Sequence, residues 1–158
     1  MNKTLNSSNK MNWRTPQWIF NLLDDEFHFT LDPCSDDENH KCEKFFTEED
    51  NGLSQSWDNY VAFVNPPYGR EIGKWVKKAS ESKGIVVMLI PARTDTKYWH
   101  EYIFNKASEI RFVKGRIKFE LGDCKDPAPF PSAIIIYNKE EGTKYKTFSM
   151  EGSDETCD

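Results

Sequence analysis

The stretch of the chain with the most distinctive chemistry is Asn65-Pro66-Pro67-Tyr68, which follows the apolar run Val61–Val64. Each proline has a fixed φ and no N–H, and each pushes the residue before it into an extended conformation. The stretch is therefore a rigid tip that offers carbonyl acceptors and no main-chain donors at its middle. Asn65 adds a side-chain oxygen, and Tyr68 adds a flat aromatic face.

These groups suit methyl transfer to an amino group on a planar heterocycle. Such a nitrogen is a weak nucleophile because its lone pair is delocalised into the ring. The Asn65 oxygen and the Pro66 carbonyl can accept both of its hydrogens and favour the pyramidal nitrogen that forms as it attacks, while Tyr68 stacks on the ring. Preorganised dipoles and alignment would supply the catalysis. S-adenosylmethionine would supply the electrophilic methyl group.

The elements that must position this tip alternate between helical and strand patterns. Helical spacing of apolar residues follows Thr15-Pro16, interpreted as N-cap and first helical residue, and returns after Gly69 and in "DTKYWHEYIFN". Strands are predicted at "FHFTLDP", "KFFT", "VAFV", "GIVVMLIP", "EIRFVKGRIKF" and "SAIIIYN". We predict a single-domain Rossmann-like α/β sheet, mostly parallel with an antiparallel C-terminal edge and with helices on both faces. Ligands of such sheets bind beyond the carboxyl ends of the strands, where the tip lies.

Length and composition limit the class of protein. A chain of 158 residues predicts one domain, over residues 13–148, between a flexible lead at 1–12 and an acidic flexible tail at 149–158. The longest apolar run, Ile85–Pro91, is too short to cross a bilayer. A polar start and four scattered cysteines favour a cytoplasmic protein.

Charge is distributed unevenly along the chain. The net charge is −5, but residues 65–118 hold twelve basic and five acidic residues, which leaves the remainder strongly acidic. This asymmetry is compatible with a basic face that meets a polyanion, beside an acidic region that suits a cationic ligand. Lys-rich, solvated helix faces would explain the same numbers equally well.

The order of the segments resembles the phage-type DNA N6-adenine methyltransferases, a Dam-like family of phages and prophages with an Asn-Pro-Pro-Tyr catalytic motif and S-adenosylmethionine as methyl donor. The likeness runs, in order, through "WRTPQWIFNLLDDEF", "FTLDPC", "KCEKFFTEEDNGLSQSW", "NPPYGREIGKWV", "PARTDTKYWHEY", "GRIKF" and "APFPSAIIIY". It covers nearly the whole chain between the tails, which is more specific than any single motif. A phage or prophage protein that works in the cytoplasm of a bacterial host is implied.

The resemblance implies a role for individual residues. Asn65, Pro66, Pro67 and Tyr68 would form the catalytic tip, which receives an adenine flipped out of the DNA duplex. The N–H groups at the start of the first helix would bind the cofactor carboxylate. Asp50 would bind its ribose hydroxyls or its adenine amino group. The residues expected to contact the cofactor are Trp13, Thr15, Pro16, Asp32, Pro33 and Asp50.

Contacts with DNA are expected from two further segments. Arg93, Thr94 and Asp95 follow the "VVMLIP" strand at the same sheet edge as the tip, and Arg116 and Lys118 in "GRIKF" could contact phosphates. Structural roles are equally open for these residues, since Arg93 could pair with Asp95 and Arg116 could brace a hairpin. The oligomeric state and the recognised DNA sequence do not follow from the sequence.

Several alternatives stay open. The stretch Asp32-Pro33-Cys34-Ser35-Asp36 has no glycine where many methyltransferases have a Gly-rich turn, so this loop must approach the cofactor differently. The same tip would also serve cytosine-N4, an RNA base or a protein glutamine, and a non-catalytic nucleic-acid-binding module is a further possibility. A zinc site at Cys34, His40 and Cys42 lacks a paired C-x-x-C and a fourth ligand, and we expect no metal.

Overall fold

The computed structural model describes residues 13–120, 127–140 and 142–149. These residues form helices α1 (Gln17–Phe27) and α2 (Ile72–Glu81) and strands β1 (Ala62–Val64), β2 (Val86–Pro91), β3 (Glu109–Val113), β4 (Ser132–Tyr137) and β5 (Lys144–Phe148). A 3-10 turn spans Gly52–Ser54, and a π-helical turn spans Trp99–Ile103. The predicted lead at 1–12 and the predicted tail, apart from Ser149, lie outside the described residues.

The strands form one mixed sheet in the order β1-β2-β4-β3-β5. Strand β4 runs antiparallel to both of its neighbours, while β1 pairs in parallel with β2 and β3 with β5. Parallel bridges from Leu31 to Ala62 and from Asp32 to Phe45 extend the sheet beyond β1, at the two predicted strands "FHFTLDP" and "KFFT".

The prediction that the antiparallel strand forms the C-terminal edge of the sheet is wrong. The antiparallel strand lies inside the sheet, between β2 and β3, and the edge is formed by β5, which is parallel to β3. All six residues of β4 are buried, and such an apolar strand is buried best when it has neighbours on both sides. Strand β5, "KYKTF", is almost entirely exposed, which suits an edge position with lysines on it.

Helices cover both faces of the sheet, as predicted. Phe20 of α1 packs edge-on against Phe63 at a centroid distance of 5.3 Å. Trp99 of the π-helical turn stacks on Phe112 at 6.4 Å. Cross-strand partners share a face, and the register places Phe63 and Phe112 on opposite faces. None of the helices in the described ranges is long and apolar enough to span a membrane.

Helix α1 lacks the predicted N-cap bond. The helix begins at Gln17, no side chain caps it, and the Thr15 hydroxyl is buried without a hydrogen-bond partner within the described ranges. Its apolar face, Ile19, Phe20 and Leu23, is buried against the sheet, which is enough to hold the helix in place. The free Thr15 hydroxyl is thus available for another partner.

A network of ion pairs fastens α1 to β3 and β5. Arg111 is 9% exposed, donates two hydrogen bonds of 2.8 Å to Glu26, and also donates to Glu109, which is 2% exposed. Lys146 of β5 lies 3.1 Å from Glu109. The hydrogen bond from Arg111 lowers the pKa of Glu26. Burial alone would raise the pKa of Glu109, but the hydrogen bonds from Arg111 and Lys146 outweigh it and lower that pKa.

We expect Arg111→Ala to lower the free energy of unfolding by about 3–5 kcal/mol, because it leaves the buried Glu109 carboxylate without its main partner. Urea unfolding followed by circular dichroism measures the change. The matched control is Lys74→Ala, which removes an exposed pair with Glu71 at 3.0 Å and should cost less than about 1 kcal/mol.

The pH dependence of the same variant gives a second measurement. Because the folded-state pKa values of Glu26 and Glu109 are depressed, their contribution is present above the ordinary carboxyl value of 4.5 and is lost as the pH falls through the lowered values. Acidification should therefore destabilise the wild type more than Arg111→Ala. Parallel pH curves for the two proteins would contradict this role of the network.

Candidate active site

The carboxyl ends of the parallel strands open onto a cleft of about 730 Å³, a volume typical of small-molecule and cofactor sites. The cleft lies where the chain leaves the sheet after Asp32 and after Val64. Its walls come from the start of α1, from the loops that follow Asp32 and Phe46, and from the tip. The residues that line it include Trp13, Arg14, Thr15, Asp32, Pro33, Asp36, Asp37, Lys41, Glu48, Glu49, Gly52, Asn65, Pro66, Pro67 and Glu71.

Asp32 shapes the loop on one side of the cleft. Its side chain is buried and accepts hydrogen bonds from the backbone N–H groups of Lys41, at 2.9 Å, and Cys34, at 3.4 Å. Burial raises the pKa of this carboxyl from 3.8 to about 6, although the two hydrogen bonds oppose the shift. Asp32 thus closes the loop from Pro33 to Lys41, and it takes up a proton at a higher pH than an exposed aspartate does.

Gly52, which belongs to another loop, contacts the glycine-free turn that follows Asp32. A Cβ atom on Gly52 would lie 2.0 Å from the carbonyl oxygen of Pro33, so only glycine fits at this position. The indole of Trp57 donates a hydrogen bond of 3.0 Å to the Gly52 carbonyl and holds the loop in place. The absence of a side chain at Gly52 therefore lets this loop pack directly against the backbone of Pro33.

Asn65 stands at the end of β1 with its amide held in one orientation. The side-chain NH₂ donates to the carbonyl of Trp13. Its Oδ1 atom is buried and has no hydrogen-bond partner among the described residues, and the same holds for Oγ1 of Thr15. A buried polar atom left unpaired costs roughly 1–3 kcal/mol. Two such atoms on one cleft indicate a site that is prepared for the polar groups of a ligand.

Tyr68 lies behind the tip. The residue is 7% exposed, its ring packs edge-on against Phe119 and Phe130 at 6.1 and 5.6 Å, and its hydroxyl donates a 2.9 Å hydrogen bond to the Leu89 carbonyl. Burial raises the pKa of this hydroxyl well above its usual value. Tyr68 therefore belongs to an aromatic cluster with Trp13, Phe119 and Phe130, and not to the described lining of the cleft.

The structure brings most of the predicted cofactor and tip residues together. Trp13, Thr15, Asp32 and Pro33 line the same cleft as Asn65, Pro66 and Pro67. Pro16 is buried at the start of α1 and is not part of the described lining.

Asp50 is not part of the described lining of the cleft, and its carboxylate is engaged by Thr47. Its carboxylate accepts hydrogen bonds from the backbone N–H and the hydroxyl of Thr47, at 2.9 and 3.1 Å, and its own N–H donates to that hydroxyl. The spacing T-x-x-D is that of a capping box, a signal in the sequence that predicts this role for Asp50. The acidic residues of this turn that line the cleft are Glu48 and Glu49, which sequence reasoning missed.

The predicted DNA-contacting residues lie outside the cleft lining. Arg93, Thr94 and Asp95 are exposed just after β2, and the Arg93 guanidinium lies 5.9 Å from the centre of the Phe130 ring. Arg116 is exposed, and Lys118 is half-buried. The predicted strand through both residues ends at Val113, and the chain beyond it pairs with Arg14 and Pro127.

Cys34, His40 and Cys42 do not form a metal-binding group. Across the described residues, no cluster of three or more His, Cys, Asp or Glu side chains could hold a metal ion. The His40 ring stacks on Phe45 at 3.8 Å. Burial raises the pKa of both thiols to about 12, which disfavours the thiolate that zinc requires.

Comparison with known proteins gives one consistent result. A family model described as "DNA N-6-adenine-methyltransferase (Dam)" matches residues 2–158. A DNA N-6-adenine-methyltransferase of Haemophilus phage HP1 (strain HP1c1) is 31% identical over 139 residues, which covers 82% of this chain and 80% of the relative. A DNA N-6-adenine-methyltransferase of Escherichia phage T1 is 35% identical over 107 residues, which covers 65% of this chain and 44% of the relative.

We expect Asp32 to make stability fall as the pH rises from 3.8 to about 6, because within this range the folded state binds more protons than the unfolded state. A shift of this size corresponds to about 3 kcal/mol. The measurement is urea unfolding of wild type and Asp32→Asn across this range. The asparagine cannot titrate, so the stability of the wild type relative to Asp32→Asn should fall as the pH rises through this range. Curves with a constant separation would show that Asp32 titrates normally.

Proposed function

The chain belongs to the DNA N-6-adenine-methyltransferase (Dam) family, and from this we propose that it transfers a methyl group from S-adenosylmethionine to N6 of a DNA adenine held at Asn65. Membership of the family makes it an adenine-specific DNA methyltransferase. The proposal concerns the methyl donor, the flipping of the base and the residues that act. The observation that supports it most directly is the unpaired Oδ1 atom of Asn65 at the cleft.

Asn65 acts as the acceptor for the adenine amino group. Its NH₂ is occupied by the Trp13 carbonyl, so its oxygen is the free end of the amide. A hydrogen bond from N6 to this oxygen, together with one to the Pro66 carbonyl, aligns the nitrogen lone pair for attack and stabilises the charge that develops on it. The proton that N6 loses passes to water, because neither acceptor is a base.

The amino group reaches Asn65 only after a local opening. Oδ1 is buried, and Trp13 packs against Phe119 and Phe130 at 5.7 and 5.2 Å beside it. The incoming base must displace part of this aromatic cluster, which then offers Tyr68 and its neighbours as stacking surfaces. Stacking and the Asn65 hydrogen bond together offset the few kcal/mol that base flipping costs.

The cleft fits S-adenosylmethionine in charge and in polar groups. When bound, this cofactor supplies the electrophilic methyl group. The acidic lining residues, Asp32, Asp36, Asp37, Glu48, Glu49 and Glu71, outnumber the basic ones, Arg14 and Lys41, which favours a cationic ligand. We propose that Thr15 and the start of α1 receive the cofactor carboxylate. Glu48 or Glu49, in place of Asp50, accepts hydrogen bonds from the ribose hydroxyls.

DNA would contact the protein beside the cleft. Arg93, Thr94 and Asp95 are exposed at the same sheet edge as the tip and would meet the strand that carries the flipped base. Arg116 and Lys118 would contact phosphates, and such contacts set the affinity and its dependence on salt. In this proposal the acidic cleft itself stays clear of the phosphate backbone.

The function is tested by incubating the protein with labelled S-adenosylmethionine and unmodified plasmid, digesting the DNA to nucleosides and separating them by mass spectrometry. Labelled N6-methyl-2′-deoxyadenosine is the expected product. Labelled N4-methyl-2′-deoxycytidine would show that cytosine, and not adenine, is the acceptor. In parallel incubations with RNA or protein in place of the plasmid, label found only there would also change the acceptor. Clear cofactor binding without any transfer would favour a non-catalytic module.

We expect Asn65→Ala to lower the rate of methyl transfer by on the order of 100-fold or more, because it removes the acceptor that aligns N6. Binding of S-adenosylmethionine, measured by calorimetry, should largely survive. The matched control is Asn21→Ala, an exposed asparagine of α1 that bonds only to Gln17 in the described structure. A comparable loss of cofactor binding in Asn65→Ala would undo the role given to Asn65.

We expect Thr15→Val to weaken binding of S-adenosylmethionine by about tenfold, the loss of one hydrogen bond to a charged group. The unliganded variant should be at least as stable as the wild type, because the hydroxyl that it removes is buried and unpaired. Ser132→Ala removes another buried, unpaired hydroxyl that does not line the described cleft, and it should leave the affinity unchanged. Equal affinity of Thr15→Val and wild type would place the carboxylate elsewhere.

A further inference from the structure

The regular hydrogen bonds between β1 and β2 stop short of the Leu89 carbonyl. The Ala62 N–H donates to the Ile85 carbonyl, and Val64 is registered against Met88. Donors that face the same neighbour recur every second residue, and so do the acceptors. The next donor toward β2 would be residue 66, and the next acceptor is the Leu89 carbonyl. Residue 66 is a proline and has no N–H, so the ladder cannot supply this bond.

The Tyr68 hydroxyl occupies the vacant position. It donates a 2.9 Å hydrogen bond to the Leu89 carbonyl, the group that Pro66 cannot reach. The tyrosine is 7% exposed, and its ring is held edge-on by Phe119 and Phe130. A buried carbonyl without a partner is costly, so this bond is strongly favoured over an unpaired Leu89.

We propose that Tyr68 is a positioning residue, whose hydroxyl replaces the missing proline donor and thereby fixes the tip against β2. Asn65, Pro66 and Pro67 are tied to the sheet through β1 on one side and through the Tyr68–Leu89 bond on the other. The hydroxyl therefore sets the distance of the Asn65 amide from the sheet edge. This proposal rests on the proposed function. It gives the hydroxyl of Tyr68 a positioning role that is distinct from any stacking of its ring on a base.

The test compares Tyr68→Phe with Tyr137→Phe. Both variants keep an aromatic ring and lose one buried hydroxyl that donates to a backbone carbonyl, since Tyr137 donates to Tyr102 at 2.6 Å. Both should lower Tm by a similar amount, about 2–4 °C. Only Tyr68→Phe should lower kcat for methyl transfer, by about 10- to 100-fold, with the Kd for S-adenosylmethionine unchanged. The proposal fails if Tyr68→Phe keeps the wild-type kcat, or if Tyr137→Phe loses as much.

A second measurement restores the missing donor. Pro66→Ala returns an N–H to the position that faces Leu89, so Tyr68→Phe should lower Tm by less than half as much in this background as in the wild type. Equal shifts in the two backgrounds would overturn the idea that the hydroxyl substitutes for the ladder. This comparison of Tm values does not depend on methyltransferase activity. If the wild type forms no N6-methyl-2′-deoxyadenosine, the proposed function fails, while the role of the Tyr68–Leu89 bond is still judged by the change in Tm.

Discussion

The missing N–H of Pro66 is the constraint on which the arrangement of the cleft depends. Strand β1 has three residues, and it stops where its next donor toward β2 would be a proline. The chain must leave the sheet there, at the carboxyl edge. Asn65 then turns its amide to Trp13, and Pro66 and Pro67 form part of the cleft wall. A longer ladder would have placed these groups inside the sheet, where no ligand could reach them.

The fold tolerates unpaired polar atoms at the cleft because it is strongly fastened elsewhere. The buried Oδ1 of Asn65 and Oγ1 of Thr15 both lower stability in the absence of a ligand. On the sheet face that α1 covers, Arg111 donates hydrogen bonds to Glu26 and Glu109. Strands β2 and β4 are buried along their whole length. Two of the four buried side-chain atoms that lack a partner in the described residues line this cleft, and local departures of this kind are expected at a functional site.

Local patterns in the sequence were sufficient for most elements but not for their order or for side-chain directions. The apolar runs that became β2 and β4 and the helical spacing of α1 and α2 are strong signals. Strand β5 was missed because its sequence, KYKTF, is mostly exposed and has no continuous apolar run, and the interior place of β4 depends on long-range pairing. The tip was found from its residue types. The direction of the Tyr68 side chain toward Leu89 depends on backbone geometry. The direction of Asp50 toward Thr47 does so too, although the T-x-x-D spacing indicates this contact.

The uneven charge of the sequence becomes a spatial division in the structure. The acidic residues that line the cleft come mainly from the loops between Asp32 and Glu49, whereas the basic residues from Arg70 to Lys118 lie outside the described lining. Within the cleft, weak screening makes these carboxylates attract a cation and repel a phosphate. In the proposed function, a polyanion would meet Arg93 and Arg116 outside the described lining, while a small cationic ligand would enter the cleft. On this proposal, one sheet edge would serve both kinds of ligand because their opposite charges direct them to different surfaces beside Asn65.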